Sequence, residues 1–123
     1  DAVREILQVN RTFQEVAKQR GFYSKDLMRS ITSSGSIQKM EDLPEDIRKV
    51  FVTALDVSPE WHIRIQAAFQ KHVDAGISKT INFPFHASIN DVEKACLLAY
   101  KLGCKGLTMY RDGSRDDQII TTK

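Results

Sequence analysis

Residues 78–115, SKTINFPFHASINDVEKACLLAYKLGCKGLTMYRDGSR, decide the fold class. From Ser78 to Phe83 the pattern alternates: Lys79, Ile81 and Phe83 point one way, Thr80 and Asn82 the other, the period of a strand. Pro84 ends the run, because it brings no N–H to a ladder. Ser88 then offers an oxygen to cap a helix, and Asp91, three residues on, completes a variant capping box. Val92, Ala95, Cys96, Ala99 and Leu102 form the stripe this helix is predicted to bury, and Gly103 closes it. A last strand is predicted over Gly106 to Tyr110, leading into the turn Arg111 to Arg115. Strand, helix, strand in this length is a βαβ unit, with parallel strands and a right-handed crossover expected.

Working outward, Ser58-Pro59-Glu60 reads as a helix start: an oxygen cap, Pro at the first position, then an acid that suits the dipole. Trp61, Ile65, Ala68, Phe69 and His72 share one face, which is predicted to be core, with His62 one step round at the surface. The helix should end near Val73, with Gly76 helping the chain turn. Val50 to Val57 fits a helix end or a short strand, and the helical or irregular reading is preferred. A helix should open near Pro44, with Glu45 and Asp46 in its first turn and Ile47, Val50 and Phe51 inward. Further upstream, Ala2 to Gln19 has the periodicity of an amphipathic helix, with Asn10 interrupting the stripe and Gly21 as a stop. Ser24 caps a shorter helix with Leu27, Met28 and Ile31 on one side, and Thr32 to Ser36 is a loop by composition. The expected fold is α/β and predominantly helical.

The chain has 123 residues, enough for one hydrophobic core, and 41% hydrophobic against 28% charged residues is ordinary for a globular protein. Its 18 basic and 16 acidic residues leave a net charge of +2, with the basic residues spread along helices. That is not the clustered footprint of a nucleic-acid binder. No apolar run approaches the roughly 20 residues that span a bilayer. No signal peptide is visible, and the expected setting is a reducing cytoplasm. A chain that starts at Asp1 rather than Met reads as a processed product or a piece of something longer.

No two of His62, His72 and His86 have the i, i+3 or i, i+4 spacing of paired metal ligands, so no metal site is expected. Cys96 lies on an apolar stripe and Cys104 at a helix-to-strand turn beside Lys105, and both read as structural. Arg111 and Arg115 flank an Asp-Gly turn that could hold a phosphate, although Asp112 opposes an anion. In parallel α/β structures ligands sit beyond the carboxyl ends of the strands. Thr80 and Asn82, a polar pair on one strand face, are therefore the candidate substrate-binding residues, with Lys79 beside them.

The blocks SPEWH, QAAFQ, SKTIN, LAYKLGCKG and YRDGSR, occurring in this order, resemble the C-terminal part of the catalytic barrel of adenosylcobalamin-dependent (class II) ribonucleotide reductases. The motifs lie in residues 43–115, which form the barrel segment, preceded by a helical segment over 1–42 that matches more loosely and followed by a frayed tail over 116–123. The resemblance implies a piece of a ten-stranded α/β barrel that contributes wall, and a substrate-pocket edge, to reduction of ribonucleotides to deoxyribonucleotides for DNA synthesis. Adenosylcobalamin would serve the complete enzyme and would not be held by this chain alone. The family's Asn-x-Cys-x-Glu active-site strand and phosphate-binding Pro-Thr-Gly-Thr segment have no counterpart here, and Cys96 and Cys104 match no radical or redox position. Where the family usually carries Asp-Asn-Ala-Val before SKTIN, this chain has Asp74-Ala75-Gly76-Ile77. The expected partners are the remainder of the reductase chain or a split subunit, and ribonucleotide in the complete enzyme. Homo-oligomerisation through exposed edges is a further option. The alternative is a non-enzymatic helical α/β module that binds a protein partner or a nucleotide.

Overall fold

The computed structural model describes residues 9–114, which fall into two compact units, 9–53 and 54–114. The first unit holds three helices: α1 (Arg11–Gln19), α2 (Lys25–Ser34) and α3 (Glu45–Val50). Asn10 begins α1 rather than interrupting it. Its Oδ1 accepts from the N–H of Phe13 at 3.1 Å, the capping role that short amide side chains take in preference to a helix interior. The part of the predicted helix before residue 9 lies outside the described residues. Ser24 caps α2 as expected, accepting from Leu27 N at 3.0 Å. The helix then runs on through Thr32–Ser34, which composition had assigned to a loop. It stops at Gly35, whose φ of +68° is a left-handed conformation that favours glycine. Pro44 precedes α3 as its cap residue rather than opening its first turn. Phe13, Ala17, Ile37, Leu43 and Ile47 form the buried core of this unit, and Phe51 packs against it with its ring 5.2 Å from that of Phe13. Val50, expected inward, is 71% exposed, because the six-residue α3 turns only Ile47 fully into the core.

The second unit contains α4 (Pro59–Gln70), β1 (Thr80–Phe83), α5 (Ile89–Lys101) and β2 (Thr108–Arg111). The predicted βαβ arrangement is present: β1 and β2 pair in parallel, with Thr80 opposite Thr108 and Phe83 opposite Arg111. Both strands start two residues later than predicted, at Thr80 and Thr108. Ser88 and Asp91 form the capping box of α5. Ser88 Oγ accepts from Asp91 N at 3.3 Å, while Asp91 Oδ2 accepts from Ser88 N at 2.8 Å. Ile63, Ile81, Phe83, Ala95 and Ala99 are the buried core. Burying a side chain such as Ile81 or Phe83 stabilises by roughly 1.5–3 kcal/mol.

Two predicted faces are corrected. Trp61 (61% exposed), Ile65 and Phe69 lie outward on α4, and Ala68 and His72 are exposed as well. The covered face instead presents His62, Ile63, Gln66, Ala67 and Gln70. Apolar content favoured the wrong side, because two glutamines and a histidine turn inward to bond loop backbone. Cys96 is also exposed, because α5 buries the Ala95–Ala99 line and Cys96 sits one step round from it.

Candidate functional site

Parallel partners in a ladder share a face, so Thr80, Asn82, Thr108 and Tyr110 stand together on one side of the β1–β2 pair. On the other side Ile81 and Phe83 are buried against the unit's core. The four polar residues are not sealed: Thr80 and Thr108 are exposed, and Asn82 and Tyr110 are half-buried. Two alcohols, an amide and a phenol make a neutral face with both donors and acceptors, chemistry suited to the hydroxyls or base edges of an uncharged ligand moiety. The alternation in the sequence put Thr80 and Asn82 on one strand face, and the pairing adds Thr108 and Tyr110 to that face. Their signal was the expected parallel pairing, which places alternate residues of the second strand beside them.

Lys79 goes to the opposite side. Its Nζ lies 2.7 Å from His62 Nδ1 and donates to Thr80 O at 3.1 Å. His62 Nε2 is 2.8 Å from the carbonyl of Ala54, which can only accept. The ring therefore donates at Nε2 and is left to accept from Lys79 at Nδ1. Burial holds the Lys79 amine below its ordinary pKa. Lys79 is thus bound to α4, not gathered with Thr80 and Asn82.

At the carboxyl end of β1 an open groove of about 400 Å³ is floored by Ile63, Phe83, Pro84 and Leu98, with Glu60, His86, Asp91 and Lys94 among its polar lining. Its position follows the rule for parallel strands. Arg111 lies over the ring of Phe85, 6.0 Å from guanidinium carbon to centroid, and Asp112 N donates to Phe83 O at 2.9 Å. Arg115 lies outside the described residues, so the Arg111–Arg115 pair is not brought together among them. Cys104 is half-buried, and burial pushes its thiol pKa up. Among the described residues no group of three His, Cys, Asp or Glu side chains is placed to hold a metal ion, and no helix is long and apolar enough to cross a membrane.

The profile of the family "Ribonucleotide reductase, barrel domain" matches residues 1–110, so the similarity extends through the first unit as well as the second. A vitamin B12-dependent ribonucleoside-diphosphate reductase of Mycobacterium tuberculosis is 41% identical over 119 residues, 97% of this chain and 17% of that protein. The enzyme of the same description from Thermoplasma acidophilum is 41% identical over 96% of this chain and 15% of its own length. Among solved structures, a class Id ribonucleotide reductase alpha subunit of Actinobacillus ureae aligns with a TM-score of 0.77 at 26% identity, over 85% of this chain and 20% of that one. The chain thus spans about one sixth of the length of the curated relatives it matches.

Proposed function

The chain belongs to the ribonucleotide reductase barrel-domain family, and from that premise we propose that it is a wall segment of a vitamin B12-dependent ribonucleotide reductase. The observation that carries this reading is the 41% identity to the Mycobacterium enzyme across 97% of the chain. In this role the β1–β2 pair supplies two strands of a ten-stranded α/β barrel. The open face of Thr80 and Asn82, with Thr108 and Tyr110, forms an edge of the ribonucleotide pocket. Lys79 supports that edge from behind through His62 and the Thr80 carbonyl. Arg111, at the carboxyl end of β2, and Arg115 are retained as phosphate-binding candidates.

Cobalamin belongs to the complete enzyme. Among the described histidines, His62 has both ring nitrogens engaged, by Ala54 O and Lys79 Nζ, and so offers neither to a cofactor. The radical and redox thiols are likewise assigned to the remainder of the reductase, since neither Cys96 nor Cys104 matches a radical or redox position of the family.

The test is complementation. The isolated chain with adenosylcobalamin and ribonucleoside diphosphate should form no deoxyribonucleotide. Added to a truncated Mycobacterium relative that lacks the matching segment, it should restore reduction. A stable complex of the two that remains inactive would overturn the reading.

A further inference from the structure

A helix packed on a sheet ordinarily covers it with apolar side chains, yet α4 turns His62, Gln66 and Gln70 inward, at 5%, 1% and 7% exposure. They stand at i, i+4 and i+8, one line along the helix. Most of their bonds go to backbone in the segments that lead into the strands. His62 meets Ala54 O, and through Lys79 it reaches the start of β1. The Gln66 amide donates to Ile77 O at 3.3 Å, just before β1, and to Gly106 O at 2.7 Å, just before β2. Gln70 donates to Val73 O and Ala75 O, at 2.9 and 2.8 Å, and accepts from Lys105 N at 3.4 Å. The amide orientation of Gln66 follows from chemistry: turned over, its oxygen would face two carbonyl oxygens. Its own Oε1 is buried with no donor among the described residues, so the side chain is selected for its NH2 rather than for comfortable burial.

Among the described residues the sheet these side chains serve has two strands of four residues each, too little to fix its own register. Register matters because a slip by one residue would turn Ile81 and Phe83 outward and Thr80 and Asn82 into the core. We infer that Gln66, flanked by His62 and Gln70, is a positioning residue that clamps the approaches of both strands and so fixes the register that presents Thr80, Asn82, Thr108 and Tyr110 on one open face. The strand-positioning half stands on the hydrogen bonds alone; its consequence for nucleotide binding rests on the proposed reductase role.

Gln66→Met keeps length and apolar bulk but removes both donors. In the isolated chain, amide exchange of β1 and β2 should accelerate about ten-fold or more relative to α5, with weakened cross-strand contacts between Ile81 and Met109. In the Mycobacterium relative carrying this chain in place of its matching segment, the same substitution should raise KM for the ribonucleotide several-fold, with a smaller effect on kcat. Unchanged strand exchange and register, with only a lower melting temperature, would overturn the inference. Altered register with unchanged KM would uphold the positioning role and sink the substrate-facing reading of the open face. Should Gln66→Met fail to fold, Gln70→Met takes its place: it leaves the Gln66 bonds intact but unties Lys105 and should speed exchange in β2 more than in α5. Equal exchange in both would overturn the inference.

Discussion

Cys96 and Cys104 look alike in the sequence, each near apolar neighbours, yet they differ in exposure and in chemistry. Cys96 is exposed, whereas Cys104 is half-buried with its pKa raised by desolvation. Limited alkylation followed by peptide mass mapping should modify Cys96 first, and equal rates would contradict this placement. Lys79 provides a second residue-scale prediction. Its pKa is lowered from 10.5, so the folded state releases the proton before the unfolded chain does. Its ammonium therefore penalises folding at pH values below the lowered pKa, and the penalty is relieved as pH rises from there towards 10.5. Wild-type stability relative to Lys79→Met should rise over that window in denaturant titrations; a fall would reverse the sign. At this scale the sequence disclosed chemical types well. Thr80 and Asn82 were readable from alternation, whereas the His62–Lys79 contact joins residues on different elements and had no local pattern to betray it.

Elements were legible where their determinants are local. The capping box at Ser88 and Asp91 and the Pro at the start of α4 were visible because caps act within one turn. Ser88→Ala should destabilise the second unit by about 0.5–2 kcal/mol, measurable as a shift in denaturation midpoint. The Asp91 carboxyl is held below its usual value, first by the Ser88 backbone N–H and then by the Ser88 hydroxyl. Its contribution is therefore present above 3.8 and lost as pH falls through the lowered pKa. Ser88→Ala should blunt that acid dependence. The facing of α4 was not legible from periodicity, because both sides offer apolar residues: Trp61, Ile65 and Phe69 on one, Ile63 and Ala67 on the other. What decides between them is non-local, namely which side can satisfy the carbonyls of Ile77, Val73, Ala75 and Gly106. The i, i+4, i+8 line of His62, Gln66 and Gln70 was the available clue. Asn10 teaches the same lesson in α1, where a polar break in a stripe was a start.

At the scale of the whole molecule, Trp61, Ile65 and Phe69 give α4 an outward apolar face. Trp61 and Phe69 are 61% and 65% exposed. Exposed apolar patches mark surfaces that meet other protein. In a chain spanning 17% of a relative's length, contact with the rest of the reductase is the role consistent with the proposed function. The isolated chain should therefore self-associate, and Trp61→Glu with Phe69→Glu should reduce that association in light scattering. A monomeric wild type with a sharp two-state melt would favour a self-contained module instead. The most direct trial of the account replaces the matching 119 residues of the Mycobacterium relative with this chain and measures adenosylcobalamin-dependent formation of deoxyribonucleotide. Retained reduction, impaired by Asn82→Ala, is the expected result; a folded, cobalamin-binding hybrid that reduces nothing would contradict it.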